Sequence, residues 1–362
     1  LTVKGGALTT DTLRTPATTT TGKIKSLTGV ENLIVSSEDS ATDSVIDLTN
    51  ATGVKTIDLS FTTNTNADKV TFKKVETGTK FKVTSTQTGD EVSIGMADAS
   101  GTDTSVEVEL IDFENGEDDT LKISGAGIET LTVNEKSADS GETLNLAGVT
   151  ATSGSKTKLI LKGGDLTLGS LSTSFNEIDA SSATGGITLA AADRPSSAMT
   201  ITGGLGGDSL AMENAGDVMD GGLGTDTIVL NGNGVLGGWA VDLSAADQVT
   251  QHGGVSNAAV QKGFENVTAS ALTGSFGLDI TGTAKANVII GSDQNDNFNP
   301  GLGADDITLG SGADFVDITE STSSADKIRF SVAASAGLNT ITGFNAAADI
   351  LELPISDTKE AG

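Results

Sequence analysis

Cysteine and tyrosine are absent from this chain of 362 residues, and tryptophan occurs only once. Without cysteine the chain has no disulfide bonds and no thiolate metal ligands. The single histidine, His252, cannot by itself build a zinc centre, and no serine-hydrolase elbow or phosphate-binding loop is present. Aromatic residues make up 3% of the chain, so large rings do not dominate its core. We therefore expect a protein that is not an enzyme.

Long apolar runs and positive charge are also scarce. No apolar stretch reaches the roughly 18 residues of a membrane-spanning helix, and no signal peptide opens the sequence. The 21 Lys and Arg residues face 49 Asp and Glu, a formal net charge of -28. Such a charge disfavours nucleic acid and membrane insertion and attracts cations. Because the sequence begins with Leu1, we treat it as part of a longer protein.

The residues that are abundant, namely Thr, Val, Ile, Ser and 46 Gly with only 4 Pro, favour many short strands joined by tight turns. Apolar and polar residues alternate in three segments that each begin with Gly-Val or Gly-Ile, at Gly29, Gly53 and Gly127. We expect an all-β fold with stacked β-solenoid or small β-sandwich units over residues 1–200. An ordinary β-sandwich is the alternative.

A stricter repeat, nine residues long, occurs in two blocks of the second half of the chain. The first block begins at Gly203 and reads GGLGGDSLA, MENAGDVMD and GGLGTDTIV. The second begins at Gly282 and reads GTAKANVII, GSDQNDNFN, PGLGADDIT and LGSGADFVD. Each repeat has Asp or Asn at its sixth position and an apolar residue two positions later. This regularity argues against the alternative of a glycine-rich surface loop in which the acidic residues occur by chance. The sixth positions are Asp208, Asp217, Asp226, Asn287, Asp296, Asp305 and Asp314.

This repeat suits a calcium-binding turn. Glycine permits the φ values that a turn needs in order to direct several carbonyl oxygens at one ion. The sixth-position side chain supplies an anionic oxygen, and calcium takes about six to eight oxygen ligands. We therefore predict Ca²⁺ as the cofactor, bound by the seven sixth-position side chains and by glycine carbonyls in two parallel β-roll blocks. The predicted carbonyl ligands are those of Gly204, Gly206, Gly222, Gly224, Gly301, Gly303, Gly310 and Gly312.

If two nonapeptides form one coil, each turn lies above the turn 18 residues earlier. Coils about 4.8 Å apart leave room for calcium between stacked carboxylates. Two such carboxylates, about 5 Å apart, repel by roughly 3 kcal/mol, so we expect the blocks to fold only with calcium. Met199 and Val235 stack on Asp217, so no acidic neighbour is expected there. The predicted stacked pairs are Asp208 with Asp226 in the first block, and Asp296 with Asp314 and the weaker Asn287 with Asp305 in the second.

The nonapeptide GGxGxDxUx, in which U is a large apolar residue, is the repeat of the calcium-binding RTX proteins. In its Ser-, Thr-, Ala- and Gly-rich composition and its short strands, the whole chain resembles RTX-type, Caulobacter-like bacterial surface-layer (S-layer) proteins. Residues 339–353 resemble DxIxGFNxxxDxIxL, a strand pair that closes many RTX domains before a type I secretion signal. Asn339 departs from that pattern, and a generic hairpin is the alternative.

The resemblance implies a secreted, extracellular structural protein that assembles with copies of itself into a two-dimensional lattice and is anchored to the cell surface by a region outside this chain. The alternative is a calcium-stiffened stalk or repeat region of a secreted RTX adhesin or biofilm matrix protein. The predicted organisation is Thr- and Ser-rich β units over 1–200, a first RTX block over 201–238, a β insert over 239–281, a second RTX block over 282–317 and a closing β segment over 318–362.

Overall fold

The structure is a computed structural model, and it divides into two compact units, Leu1–Gly206 and Gly207–Gly362. In the described part of the chain there is no α-helix, only a single turn of 3-10 helix at Ala191–Asp193. Nothing in that part is a helix long and apolar enough to cross a bilayer. The described residues are 2–4, 11–17, 22–23, 26–37, 44–61, 67–85, 89–98, 104–113, 120–136, 142–232, 237–272, 275–322, 324–330 and 337–353.

The described residues of the first unit form short strands throughout. In chain order these are β1 Thr2–Lys4, β2 Thr12–Ala17, β3 Gly22–Lys23, β4 Ser26–Thr28, β5 Asn32–Ser37, β6 Ser44–Asp47, β7 Ala51–Thr52, β8 Thr56–Ser60, β9 Lys69–Val75, β10 Thr79–Ser85, β11 Glu91–Met96, β12 Ser105–Phe113, β13 Thr120–Ala126, β14 Thr130–Glu135, β15 Glu142–Thr150, β16 Thr157–Gly163, β17 Leu166–Leu171, β18 Phe175–Ala183, β19 Ile187–Leu189 and β20 Thr200–Thr202.

Successive strands of the first unit alternate between two long parallel sheets. One sheet has the order β2-β5-β8-β10-β12-β14-β16-β18-β20, and the other has the order β3-β6-β9-β11-β13-β15-β17-β19. A short third sheet contains β1, β4 and β7. Each strand therefore pairs with a strand one coil away and not with its neighbour in sequence, which is the topology of a solenoid. A β-sandwich would be built from antiparallel pairs.

The core of the first unit consists of stacked apolar residues, one layer per coil. Leu33 pairs with Ile57, and Ile57 pairs with Phe81; all three side chains are fully buried. The alternation predicted for the three glycine-led segments is confirmed, because β5, β8 and β14 each bury every second residue. The leading glycines have positive φ, for example 84° at Gly53, and so turn the chain into the next strand.

The second unit is built in the same way but with shorter strands. Its strands are β21 Ser209–Met212, β22 Val218–Asp220, β23 Thr227–Leu230, β24 Trp239–Asp242, β25 Val249–His252, β26 Val255–Ser256, β27 Gln261–Lys262, β28 Asn266–Thr268, β29 Leu278–Thr283, β30 Val288–Ile290, β31 Asn297–Gly301, β32 Asp306–Thr308, β33 Phe315–Asp317, β34 Lys327–Arg329, β35 Thr340–Thr342 and β36 Ile350–Glu352.

Two parallel sheets position the candidate site of this unit. The first has the order β21-β23-β28-β30-β32-β34-β36, and the second runs β24-β29-β31-β33-β35. β28 lies between β23 and β30, so the segment between the two nonapeptide blocks contributes a strand to the stack itself. β24, β25 and β26 pair antiparallel and form a small appended meander. β29 runs through the predicted boundary between residues 281 and 282.

The closing segment continues the stack and is not a hairpin. β35 pairs in parallel with β33, whereas β36 pairs in parallel with β34, so the two strands belong to different sheets. The two strands thus add one more coil, whose strand residues are half-buried or exposed. Residues 354–362 of the predicted closing segment lie outside the described residues.

Candidate cation sites

A column of polar side chains follows the first sheet of the second unit, one member per coil. Each member stands two residues before an apolar residue, as Asp226 stands before Ile228, and the register stacks these apolar residues. They are buried in every coil except the last, where Leu351 is exposed. Only four of the seven members are sixth-position nonapeptide residues. We call this set the first column; its members are Asp208, Asp226, Glu265, Asn287, Asp305, Asp326 and Asp349.

Hydrogen bonds link the members of the first column in order. The Asp208 N–H donates to Asp226 Oδ1 at 2.8 Å, and the Asn287 N–H donates to Asp305 Oδ1 at 2.8 Å. The predicted stacking at 18 residues is therefore correct for both pairs. The same bond continues from the Asp305 N–H to Asp326 Oδ1 at 2.9 Å, across 21 residues.

A second, shorter column lies beside the other sheet. The Asp296 N–H donates to Asp314 Oδ1 at 3.0 Å, as predicted for this pair. The Asp314 N–H in turn donates to the Asn339 side-chain oxygen at 2.8 Å. We call Asp296, Asp314 and Asn339 the second column. Its register follows Phe298 and Val316, the fully buried residues two positions after each Asp.

Four carboxylates of these columns are buried without a countercharge from the protein. Burial raises the pKa of Asp226 and of Asp305 to about 7 each, and that of Asp296 and of Asp314 to about 6 each. Each of them is at most 2% exposed. The ion pairs of the second unit, as far as the structure describes it, join Lys262, Lys327 and Arg329 to other acids.

Three of these carboxylates also have an oxygen with no hydrogen-bond partner. The Oδ2 atoms of Asp226, Asp305 and Asp314 are buried and accept no hydrogen bond. A buried carboxylate oxygen without a donor costs several kcal/mol unless a cation contacts it. The arrangement therefore fits a positively charged ligand at each of these three atoms.

The first unit provides a contrast with the same geometry. The Asp68 N–H donates to Asp90 Oδ1 at 2.9 Å, so these two buried Asp side chains also stack. There, however, serine hydroxyls cover the second oxygens: Ser37 donates to Asp68 and Ser85 donates to Asp90, both at 2.8 Å. Stacked Asp residues can thus be satisfied within the protein, and the Ser292 hydroxyl and N–H do the same for Asp296. The Oδ2 atoms of Asp226, Asp305 and Asp314 have no such donor.

Glycines shape the turns around the columns. Gly222, Gly224, Gly301 and Gly303 have φ between 96° and 133°, as the repeat predicts, and so do Gly310 and Gly312 at 85° and 117°. The first glycine of a repeat has another role. A Cβ at Gly221 would lie 2.8 Å from Asp226 Oδ2. The turn therefore folds back over the carboxylate only because this position has no side chain.

Gly204 and Gly206 differ from this prediction, since neither has positive φ. Glycine is needed at these two positions because the backbone packs closely against neighbouring residues. A Cβ at Gly204 would lie 2.8 Å from the Ala183 carbonyl oxygen, and one at Gly206 would clash with the backbone of Gly185. Both residues belong to the first unit, whereas Asp208 belongs to the second.

Two backbone carbonyls that join one stacked turn to the next were not among the predicted glycine carbonyls. The Thr283 carbonyl accepts the Leu302 N–H at 3.0 Å, and the Ser292 carbonyl accepts the Ser311 N–H at 3.2 Å. Both residues occupy the second position of their repeat, where the prediction considered only glycine. A search by position within the repeat, without regard to residue type, would have identified both carbonyls.

Comparison with protein-family models, with curated proteins and with solved structures finds no match for this chain. Within the described residues, no three His, Cys, Asp or Glu side chains converge as a metal-binding group. The carboxylates instead stack in pairs, so a bound ion would need backbone carbonyls or water to complete its shell. Calcium accepts such an all-oxygen shell with few carboxylates, whereas zinc prefers nitrogen and sulfur ligands.

Asp217 and Asn287, like Asp296, accept the N–H group of the residue four positions earlier in their own turn. Asp217 Oδ2 accepts the N–H groups of Glu213 and Asn214, at 3.1 and 2.9 Å, within its own turn. Val235, one of its two predicted stacking neighbours, lies outside the described residues. Asn287 Oδ1 accepts the Thr283 N–H at 2.7 Å. Neither side chain presents an unsatisfied oxygen of the kind found at Asp226.

The only histidine is also accounted for by packing. His252 is 7% exposed, and its ring lies 4.2 Å from that of Trp239, measured between centroids, with a tilt of 56°. Burial lowers its pKa, although the charge of nearby Asp217 opposes this shift. The two buried rings pack against each other within the appended meander, one from β24 and one from β25.

Proposed function

We propose that the chain is a calcium-binding structural protein, secreted and held at a bacterial cell surface, where copies of it assemble into an S-layer lattice. The observation that carries the calcium assignment is the set of buried, stacked carboxylates with unsatisfied Oδ2 atoms in the second unit. The nonapeptide sequence supports the same ion. The lattice and its location rest on the resemblance of the sequence to RTX-type S-layer proteins.

Ions at the two nonapeptide pairs are the core of this proposal. Asp208 and Asp226 would hold one ion, and Asp296 and Asp314 another, together with carbonyls of the stacked turns. Each ion brings two positive charges to two carboxylates, which removes their repulsion of roughly 3 kcal/mol at an effective dielectric near 20. Binding to the folded state alone adds about 1.4 kcal/mol per site when calcium is about tenfold above the dissociation constant.

The charge of the second unit connects calcium with export. Residues 207–362 contain 21 acidic and 5 basic residues. Extracellular calcium modules typically bind with dissociation constants of about 10⁻⁴ to 10⁻³ M, far above cytosolic calcium. The unit would therefore remain unfolded inside the cell, pass through a type I secretion channel and fold outside.

Assembly needs calcium for a second reason. About three ions in the repeats would offset only about six of the 28 net negative charges, so copies of the chain still repel one another. We expect further calcium ions to bridge carboxylates of neighbouring copies, at a higher concentration than folding requires. An anchoring region outside this chain would attach the lattice to the cell.

Electron microscopy and light scattering test the assembly. The purified chain should form ordered sheets when calcium is added, and sodium chloride at matched ionic strength should not replace calcium. Ordered sheets with sodium alone would exclude calcium bridging. Isolated rods with calcium would favour the alternative function, a calcium-stiffened stalk of an RTX adhesin or biofilm matrix protein. No calcium-dependent change in either folding or association would overturn the whole proposal.

A further inference from the structure

Asp305 is the member of the first column, within the second nonapeptide block, whose carboxylate has an unsatisfied oxygen. It is 1% exposed, and its Oδ2 atom accepts no hydrogen bond. The spacing of the repeat predicts that the ion bound by Asp305 lies in the gap below, between Asp305 and Asn287. The structure gives reasons to place the ion in the gap above it instead.

The amide of Asn287 is already used at both ends. Its Oδ1 accepts the Thr283 N–H at 2.7 Å and the Thr283 hydroxyl at 3.1 Å. Its Nδ2 donates to the Glu265 carbonyl at 2.5 Å. An ion bound here would have to replace these bonds, and it would gain one neutral ligand in return. The gap between Asn287 and Asp305 therefore resembles a satisfied polar contact more than a cation site.

The gap above Asp305 has the opposite character. Asp326 Oδ1 accepts the Asp305 N–H at 2.9 Å, the same bond that joins Asn287 to Asp305. Here, as in the Asp208–Asp226 and Asp296–Asp314 pairs, both stacked residues are acidic. Asp326 is 2% exposed. Burial raises its pKa, and the nearby charge of Glu320 adds to the increase. Two buried acidic residues thus stack here, and the basic residues that follow Asp326, Lys327 and Arg329, pair with other acids.

Glu320 links the two turns that border this gap. Its Oε1 accepts the Gly303 N–H of the lower turn at 2.9 Å, and its Oε2 accepts the Ser324 N–H of the upper turn at 2.6 Å. The bridge keeps both turns in place although the coil here is three residues longer than a nonapeptide coil. Glu320 is a positioning residue in this arrangement, and its charge adds to the attraction for a cation.

We propose that a further divalent-cation site, formed by Asp305 and Asp326, lies outside the nonapeptide register and takes the place of the site predicted at Asn287 and Asp305. This inference rests on the proposed calcium function, because it assigns one of the ions to a different pair. It also extends cation binding into the closing segment of the chain, where the repeat sequence predicts none.

Counting bound calcium in the intact chain tests the site. Equilibrium dialysis with metal analysis at saturating calcium should show one ion fewer in Asp326→Asn than in the wild type, and an unchanged number in Asn287→Ala. Asp279→Asn is the matched control for charge, because Asp279 is exposed on an outward strand face, and it should also leave the number unchanged. The wavelength of maximum emission of Trp239, the single tryptophan, verifies folding in each variant.

The outcomes separate this inference from the proposed function. If Asp314→Asn loses an ion but Asp326→Asn does not, the second unit binds calcium and the new site is wrong. Loss of an ion in Asn287→Ala would also overturn it, and this result decides the matter should Asp326→Asn not fold. A wild-type chain that binds no calcium refutes the proposed function itself.

Discussion

Lowering the pH should substitute in part for calcium in the second unit. Without a cation, folding forces Asp226 to ionise with a pKa of about 7, against an ordinary value of 3.8. Because the folded-state pKa is the higher one, the stability linked to this proton is complete below about pH 4 and is lost as the pH rises through 7. The same sign applies to Asp296, Asp305 and Asp314.

The size of the effect follows from the shifts. Each pH unit of difference in pKa corresponds to about 1.4 kcal/mol, so ionised Asp226 costs the cation-free fold about 4 kcal/mol at pH 8. With all four carboxylates the cost is on the order of 10 kcal/mol, which is comparable with the whole stability of a domain. We therefore expect the calcium-free second unit to be unfolded at pH 8 and folded near pH 5.

Trp239 provides the assay, because it is the only tryptophan and is 3% exposed within the second unit. In calcium-free buffer its emission maximum should shift to longer wavelength as the pH rises from 5 to 8.5, and calcium at pH 8 should reverse the shift. Asp226→Asn removes one titrating group, but burying the NH₂ group of the new amide without a hydrogen-bond partner destabilises the fold by about 1–3 kcal/mol. At pH 8 the substitution should therefore stabilise the calcium-free fold by a net of about 1–3 kcal/mol. This stabilisation should move the unfolding transition to higher pH. A calcium-free wild type that becomes more stable towards pH 8 would refute the reasoning.

Three other predictions follow from the same geometry. Circular dichroism should show that calcium raises β content and the melting temperature, whereas magnesium at equal concentration does so poorly because it retains its water ligands; equal responses would contradict an irregular oxygen shell. Asp226→Ala should reduce calcium binding measured by calorimetry more than Asp217→Ala, whose carboxylate accepts two N–H groups of its own turn; equal losses would show that the register is wrong. Gly310→Ala should destabilise the chain by more than the roughly 1–2 kcal/mol that positive φ costs a non-glycine residue, because its Cβ would clash with the Ser292 carbonyl, and Gly154→Ala, with positive φ and open space, is the control in thermal unfolding.

The sequence predicts the second unit well where the period is strict. Nine-residue spacing identifies Asp208 with Asp226 and Asp296 with Asp314, because a coil of 18 residues leaves no freedom in which turns stack. It misses Glu265, Asp326 and Asp349, since extra residues between coils destroy the spacing. The local pattern survives there, an acidic residue two positions before an apolar residue, and a search for that pattern alone would have found all three. The apolar residue is buried at Val267 and Ile328 and exposed at Leu351.

Other features could not be predicted from one sequence. The sequence left open whether the first unit was a solenoid or a set of sandwiches, because alternating apolar residues suit the buried face of a sheet in either fold. Only the pairing of β5 with β8, and not with its neighbour in sequence, decides between them. Similarly, the hydrogen bonds that occupy the Asn287 amide depend on Thr283 and Glu265, and no spacing rule indicates both contacts.

The antiparallel meander of the second unit has a practical consequence. Between Asp226 and Glu265 the chain forms β23, then β24 of the second sheet, the antiparallel strands β25 and β26, and β27. It returns to the next position of the first column, where the Asp226 N–H donates to Glu265 Oε2 at 2.9 Å. The tip of this excursion, Gly253 and Gly254, connects two strands that lie outside both columns. A foreign peptide inserted between these glycines should leave the turns of both columns intact. If the chain forms sheets with calcium, such an insertion would display one copy of the peptide per subunit, at a spacing set by the lattice.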